Sequence, residues 1–166
     1  MAQPEILFSD RQQNCSPTIP CAAQTPPMPL LVFVYGSLKQ GFPNTHLNTG
    51  VRRSGTFRTR ERLPMYLLGA GRVPCMVLSP GTGHHVFGEV YEVTEDSLAI
   101  MDRLERLGEP GGYLRIAVEV EDVGARKPTA FTAHVYAKLP EQVASEAQRI
   151  GPLDEYTPEH AARLRW

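Results

Sequence analysis

Two places in the chain carry residues whose types and spacing suit chemistry. One is the tight turn Tyr35-Gly36-Ser37-Leu38-Lys39; the other is Glu105, set among apolar residues of a predicted helix. The turn ends an apolar run and admits three uses: cradling an anion, presenting a serine nucleophile, or reversing the chain. A P-loop needs a longer glycine-rich stretch closed by Gly-Lys-Ser/Thr, which is absent. A nucleophile elbow reads G-x-S-x-G, whereas Leu38-Lys39 follows this serine, and the S-x-x-K spacing fails as well. Ser37 is therefore a poor nucleophile candidate, although His46, His84, His85 and His134 are available as bases. What remains is a strand end turning sharply at Gly36, where successive backbone N–H groups can converge on a carboxylate. A turn without a ligand competes with that reading, and the segment alone leaves the two even.

Glu105 belongs to a helix that Thr94 can cap, with Glu95 and Asp96 in its first turn and Gly108 and Pro110 to end it near Leu107. At ~100° per residue, Glu105 falls about 40° from Met101 and about 20° from Leu98, on the margin of the apolar arc. A carboxylate there resists ionisation, which is how general acid/base groups are tuned toward neutral pH. On helical geometry alone the plainer reading wins: Glu105 reaches water or pairs with a strand residue such as Arg115. Asp102 has the look of a surface residue pairing with Arg106 at i+4.

The elements that must position these residues follow from periodicity. Leu31 to Tyr35 reads as a strand buried on both faces. Residues 53–68 form a weaker extended stretch interrupted by Pro64. Residues 75–78 read as a short strand, 80–83 as a turn, and 84–93 as the outgoing arm of that hairpin. Residues 113–121 alternate, with Leu114, Ile116, Val118 and Val120 on one face. Residues 129–139 are their antiparallel partner across a turn near Gly124. Residues 140–150 are expected to hold a short helix, with an irregular tail beyond. Antiparallel strands with inserted helices make an α+β domain around a strongly curled sheet.

Residues 1–29 differ in kind: six prolines, one aromatic residue and no apolar period read as a weakly ordered N-terminal extension, leaving 30–166 as the packed domain. A net charge of −1 gives no electrostatic argument for nucleic acid or an anionic membrane, so the expected partner is a small molecule or another protein. No apolar run approaches the ~20 residues of a bilayer-spanning helix, and without a basic n-region followed by an apolar h-region a secretory signal is not expected. Cys15, Cys21 and Cys75 are too few and too scattered for a disulfide framework or a zinc site. Cys15 and Cys21 can bridge locally, but free thiols in a reducing cytoplasm are the better expectation. No metal or other cofactor is expected.

Four segments in order are more specific than any one: VFVYGSLKQGFPN (32–44), GEVYEV (88–93), MDRLE (101–105) and YLRIAVEV (113–120). Together they closely resemble the gamma-glutamylcyclotransferase-like family, above all its gamma-glutamylamine cyclotransferase branch, over roughly residues 31–138. The resemblance implies a small mixed, mostly antiparallel β-barrel with flanking helices and a pocket between the first turn and the acidic helix. It implies Tyr35, Gly36, Ser37 and Leu38 as the substrate-binding loop, Glu105 as the catalytic acid/base, and Tyr113 as a pocket residue. Met101 stands where leucine is usual in that family, and Leu104 where the close branch often has an aromatic residue. The implied reaction is attack of the α-amine of a gamma-glutamyl amide on its own γ-carbonyl, giving 5-oxoproline and a free amine. A non-catalytic binding module of the same fold is the main rival, and a serine hydrolase using Ser37 ranks third.

Overall fold

The computed structural model describes residues 29–69 and 73–162. Strand β1 (Leu30–Val34) lies between two partners, antiparallel to β6 (Phe87–Val93) with Val32 opposite Tyr91, and parallel to β8 (Thr129–Ala137) with Val32 opposite His134. β8 pairs along its whole length with β7 (Leu114–Asp122), from Leu114↔Ala137 to Asp122↔Thr129. The short β3 (Phe57–Thr59) joins β7 to β6 and closes a five-stranded mixed barrel, with β2 (Val51–Arg52) appended to β6. The expected curled sheet is thus fully closed.

Closure explains why β1 is apolar throughout. Phe33 points with Val90, Val120 and Val135 into the barrel core, while Val32 and Val34 pack outward beneath helix α1 (Glu95–Leu104). α1 seats Leu98 and Met101 on that outer cluster, and the Thr94 hydroxyl accepts the Ser97 N–H at its start, as the sequence predicts.

A second, three-stranded sheet has β4 (Met65–Leu68) at its centre, between β5 (Val73–Met76) and β9 (Arg149–Leu153). Here the structure corrects three expectations. β5 does not form a hairpin with β6; it pairs with β4 (Met65↔Met76), and the segment before β6 is held instead by the Leu63–His84 bridge and by bonds between Thr59 and Val86. The stretch 53–68 is not one extended piece but the end of the appended strand's loop, β3 and β4, which belong to different sheets. The tail is not irregular, because β9 completes the small sheet; its Gly151-Pro152 pair reads as a breaker, yet an edge strand tolerates a residue without an N–H. The helix expected in 140–150 is the single turn α2 (Pro140–Val143), and a further short helix α3 (Pro158–Ala161) follows β9. The Pro-rich extension and the Cys15–Cys21 question lie outside the described residues. Among those described, no helix is long and apolar enough to cross a membrane.

Candidate active site

The turn after β1 is built by local hydrogen bonds. The Lys39 N–H closes it on the Gly36 carbonyl at 3.1 Å, and the Asn44 N–H returns to the Ser37 carbonyl at 2.9 Å. The Asn44 amide also donates to the Ser37 hydroxyl at 2.9 Å, and the Asn48 amide holds the Leu38 carbonyl at 3.2 Å. The carbonyls and the hydroxyl of the turn are therefore engaged. Among the described residues, the N–H groups of Gly36, Ser37 and Leu38 donate to no protein acceptor. All three residues line one cavity of about 280 Å³, and no histidine lines it. The Ser37 hydroxyl thus has an amide partner and no imidazole base, which suits a structural role. Lys39 is turned away from the cavity: its ammonium is buried, donates to the Tyr156 carbonyl at 2.7 Å and lies over the Phe42 ring.

Glu105 lines the same cavity. The helix ends earlier than the sequence suggests. Leu104 is its last residue, Glu105 caps it, and Arg106 (φ 54°) takes the left-handed conformation that Gly108 was expected to supply. The Tyr113 N–H then donates to the Glu105 carbonyl at 2.9 Å, tying the end of α1 to the start of β7. Gly112 makes this return possible, since a Cβ there would sit 1.9 Å from the Arg106 carbonyl oxygen. The Glu105 carboxylate has no hydrogen-bond partner or salt bridge among the described residues. Loss of water around it pushes its pKa from 4.5 up to about 7, against a smaller opposing pull from the Lys138 ammonium. The side chain is half-buried and lines the cavity.

Two pairings expected on the helix surface do not form. Arg115 is bound not to Glu105 but to Asp102, at 2.6 Å. Arg106 meets Glu109 instead of Asp102, at 2.8 Å, because the left-handed turn carries it past the helix end. Asp102 is consequently no free surface residue.

Tyr35 and Tyr113 both line the cavity, with their hydroxyls already engaged. The Tyr35 hydroxyl donates to the Tyr136 carbonyl at 2.8 Å and accepts the Met76 N–H at 3.0 Å. The Tyr113 hydroxyl donates to the Pro74 carbonyl at 3.0 Å. Burial drives both phenols well above their ordinary pKa, so they stay protonated. Both serve as walls whose polar ends are fastened to β5. Sequence reasoning missed Asn44, Pro74, Leu104 and Tyr136 as cavity residues. Asn44 had a signal, three residues past Gly41 in the same motif; Pro74 and Tyr136 arrive through long-range pairing and had none.

A family pattern described as gamma-glutamyl cyclotransferase, AIG2-like, matches residues 32–157 and so spans both walls of this cavity. The chain belongs to that family. It is an enzyme of the cyclotransferase type. Within the family it is similar to gamma-glutamylaminecyclotransferase of Bos taurus, 36% identical over 140 residues that cover 81% of this chain and 80% of the relative. The corresponding Homo sapiens protein is 39% identical over 113 residues, 62% of this chain and 72% of its own. The crystal structure of an AIG2-like protein from Mus musculus superposes with a TM-score of 0.65 at 30% identity, covering 78% of this chain and 88% of that one.

Proposed function

We propose that this cyclotransferase cleaves a gamma-glutamyl amide by internal cyclisation, releasing 5-oxoproline and a free amine, with Glu105 as general acid/base. One observation carries the reading: a carboxylate held near neutral pKa shares a single cavity with a turn whose three N–H groups have no acceptor among the described residues. The N–H groups suit the substrate's α-carboxylate or the oxyanion that develops on the γ-carbonyl.

In this scheme ionised Glu105 takes a proton from the substrate's α-ammonium. The freed amine attacks the γ-carbon, and the new C–N bond closes the five-membered ring. Glu105 then protonates the departing nitrogen as the old C–N bond breaks; it takes the extra proton from the attacking nitrogen and passes it to the released amine, which leaves as an ammonium. Over the cycle two protons pass from the α-nitrogen to the leaving nitrogen, and the enzyme returns to its starting state. A group with a pKa near 7 performs both transfers at neutral pH. The cavity walls hold the chain folded for attack, a source of large acceleration in oriented intramolecular reactions. The likeness to amine-releasing relatives favours an alkyl amine or lysine-type leaving group. The proposed setting is the cytoplasm, where the buried Cys75 thiol stays reduced.

Turnover of a panel of gamma-glutamyl compounds in H₂¹⁸O tests the reaction class. Internal cyclisation yields 5-oxoproline without label from water. Labelled glutamate would mean hydrolysis and would end the proposal.

A further inference from the structure

Asp102 lies on α1 less than one turn before Glu105, and its carboxylate is fully engaged. Its Oδ1 accepts the Tyr136 hydroxyl at 2.6 Å, and its Oδ2 accepts an Arg115 Nη1–H at 2.6 Å. The pair is sheltered, with side-chain exposures of 28% for Arg115 and 23% for Asp102, and Tyr136 is buried. The connection continues through the protein. The Tyr136 carbonyl accepts the Tyr35 hydroxyl at 2.8 Å, and that hydroxyl accepts the Met76 N–H at 3.0 Å. Two sets of hydrogen bonds, one on the Tyr136 hydroxyl and one on its carbonyl, are thus joined through the body of Tyr136 and tie the end of α1, β7 and β8 to the residue that opens the N–H turn and to β5. Of these, the end of α1, the turn, β5 and β8 contribute residues to the cavity lining.

An isolated exposed ion pair would contribute little here. This one is different because it ends in a cavity-lining tyrosine and restrains the last turn of α1. Past Glu105 the chain leaves the helix through left-handed Arg106; backbone bonds from the Glu105 N–H to Met101, the Leu107 N–H to Asp102 and the Tyr113 N–H to Glu105 hold the turn, and the Asp102 side chain adds its tie to β7 and β8.

We infer that Asp102, acting through Tyr136, is a positioning residue that fixes the Glu105 carboxylate against the N–H turn. The inference rests on the acid/base role proposed for Glu105. Without the Tyr136 hydroxyl the helix end relaxes outward, and Glu105 gains water while losing its placement. Displacements of about 1 Å in such a site cost up to about 100-fold in rate. The other groups facing Glu105 are the Lys138 ammonium beyond β8, the phenols of Tyr35 and Tyr113, and the Cys75 thiol on β5. Tyr136→Phe leaves all of them in place and changes no charge.

The test is a ¹³C-carboxyl NMR titration of glutamate-labelled protein, with the Glu105 signal assigned by its loss in Glu105→Gln. In the wild type that carboxyl is expected to titrate near 7, and in Tyr136→Phe to move toward 4.5. With gamma-glutamyl-ε-lysine as substrate, kcat is expected to fall about tenfold or more with little change in KM. Tyr91→Phe is the control: its hydroxyl makes a similar 2.7 Å bond to Glu89, away from the cavity, and its loss should lower Tm without moving the Glu105 titration. Asp102→Asn, which cannot accept from both partners as a carboxylate does, is a second variant expected to change in the same direction. An unchanged Glu105 titration in the folded variants overturns the inference. Full turnover in Glu105→Gln would instead remove the acid/base role, while the titration would still report whether Asp102 and Tyr136 place that side chain.

Discussion

A Cβ at position 36 would lie 2.9 Å from Cγ of Pro74, so the turn after β1 and the β5 wall meet at a separation that only glycine permits. Gly36 and Pro74 both line the cavity. Gly36→Ala forces the turn away from β5 and moves the three N–H groups. We expect kcat/KM to fall about 10- to 100-fold. Pro74→Ala removes the offending Cγ and leaves an atom at 3.6 Å, an ordinary contact. The double variant should therefore recover much of the loss, and a double-mutant cycle that shows simple additivity would argue against the contact.

Tyr35 should matter for stability more than its place in the cavity suggests. Its hydroxyl is the partner of both the Met76 N–H and the Tyr136 carbonyl, in a buried setting. Tyr35→Phe strips a partner from each, at about 1–3 kcal/mol per stranded group. Urea unfolding should show a loss of about 2–6 kcal/mol with an unchanged m-value.

Glu105 should make the fold less stable as pH rises. Its folded pKa, about 7, lies above the 4.5 of the ordinary group, so the folded state holds the proton more tightly. Its contribution is fully present below 4.5 and is lost as pH climbs through about 7. Glu105→Gln mimics the protonated form and should be more stable than wild type at pH 8, by at most about 3 kcal/mol before solvent screening reduces it. The advantage should vanish below pH 4.5. Parallel stability curves for the two proteins across that range would contradict the placement of Glu105.

Much of this arrangement was legible in the chain because the signals were local. Alternation along 113–121 marks the faces of β7, and the turn near Gly124 points to residues 129–139 as its antiparallel partner, which the β7–β8 register bears out. The apolar run before Gly36 marked a strand covered on both sides, and the angle between Glu105 and Met101 marked a carboxylate at an apolar rim. What escaped was decided at a distance. β5 was assigned to the nearest strand in sequence, whereas it pairs back to β4 and so delivers Pro74 to the turn. β9 hid behind Gly151-Pro152, and its partner Met65 lies far earlier in the chain. Asp102 read as a surface acid because helical spacing offered Arg106. Its actual partners come from β7 and β8, which no helical wheel contains.

The pH dependence of kcat/KM offers a further check. Attack requires Glu105 ionised, so the acid limb should break near 7 in the wild type. A limb near 4.5, the ordinary glutamate value, would assign the proton transfer to another group.

The most direct measurement compares 5-oxoproline release with ligand binding in Glu105→Gln. The amide keeps the size of the side chain but cannot carry the proton. The expected result is loss of release by at least about 100-fold, with gamma-glutamyl ligand affinity by calorimetry close to that of the wild type. Full 5-oxoproline release from that variant would contradict the acid/base role of Glu105.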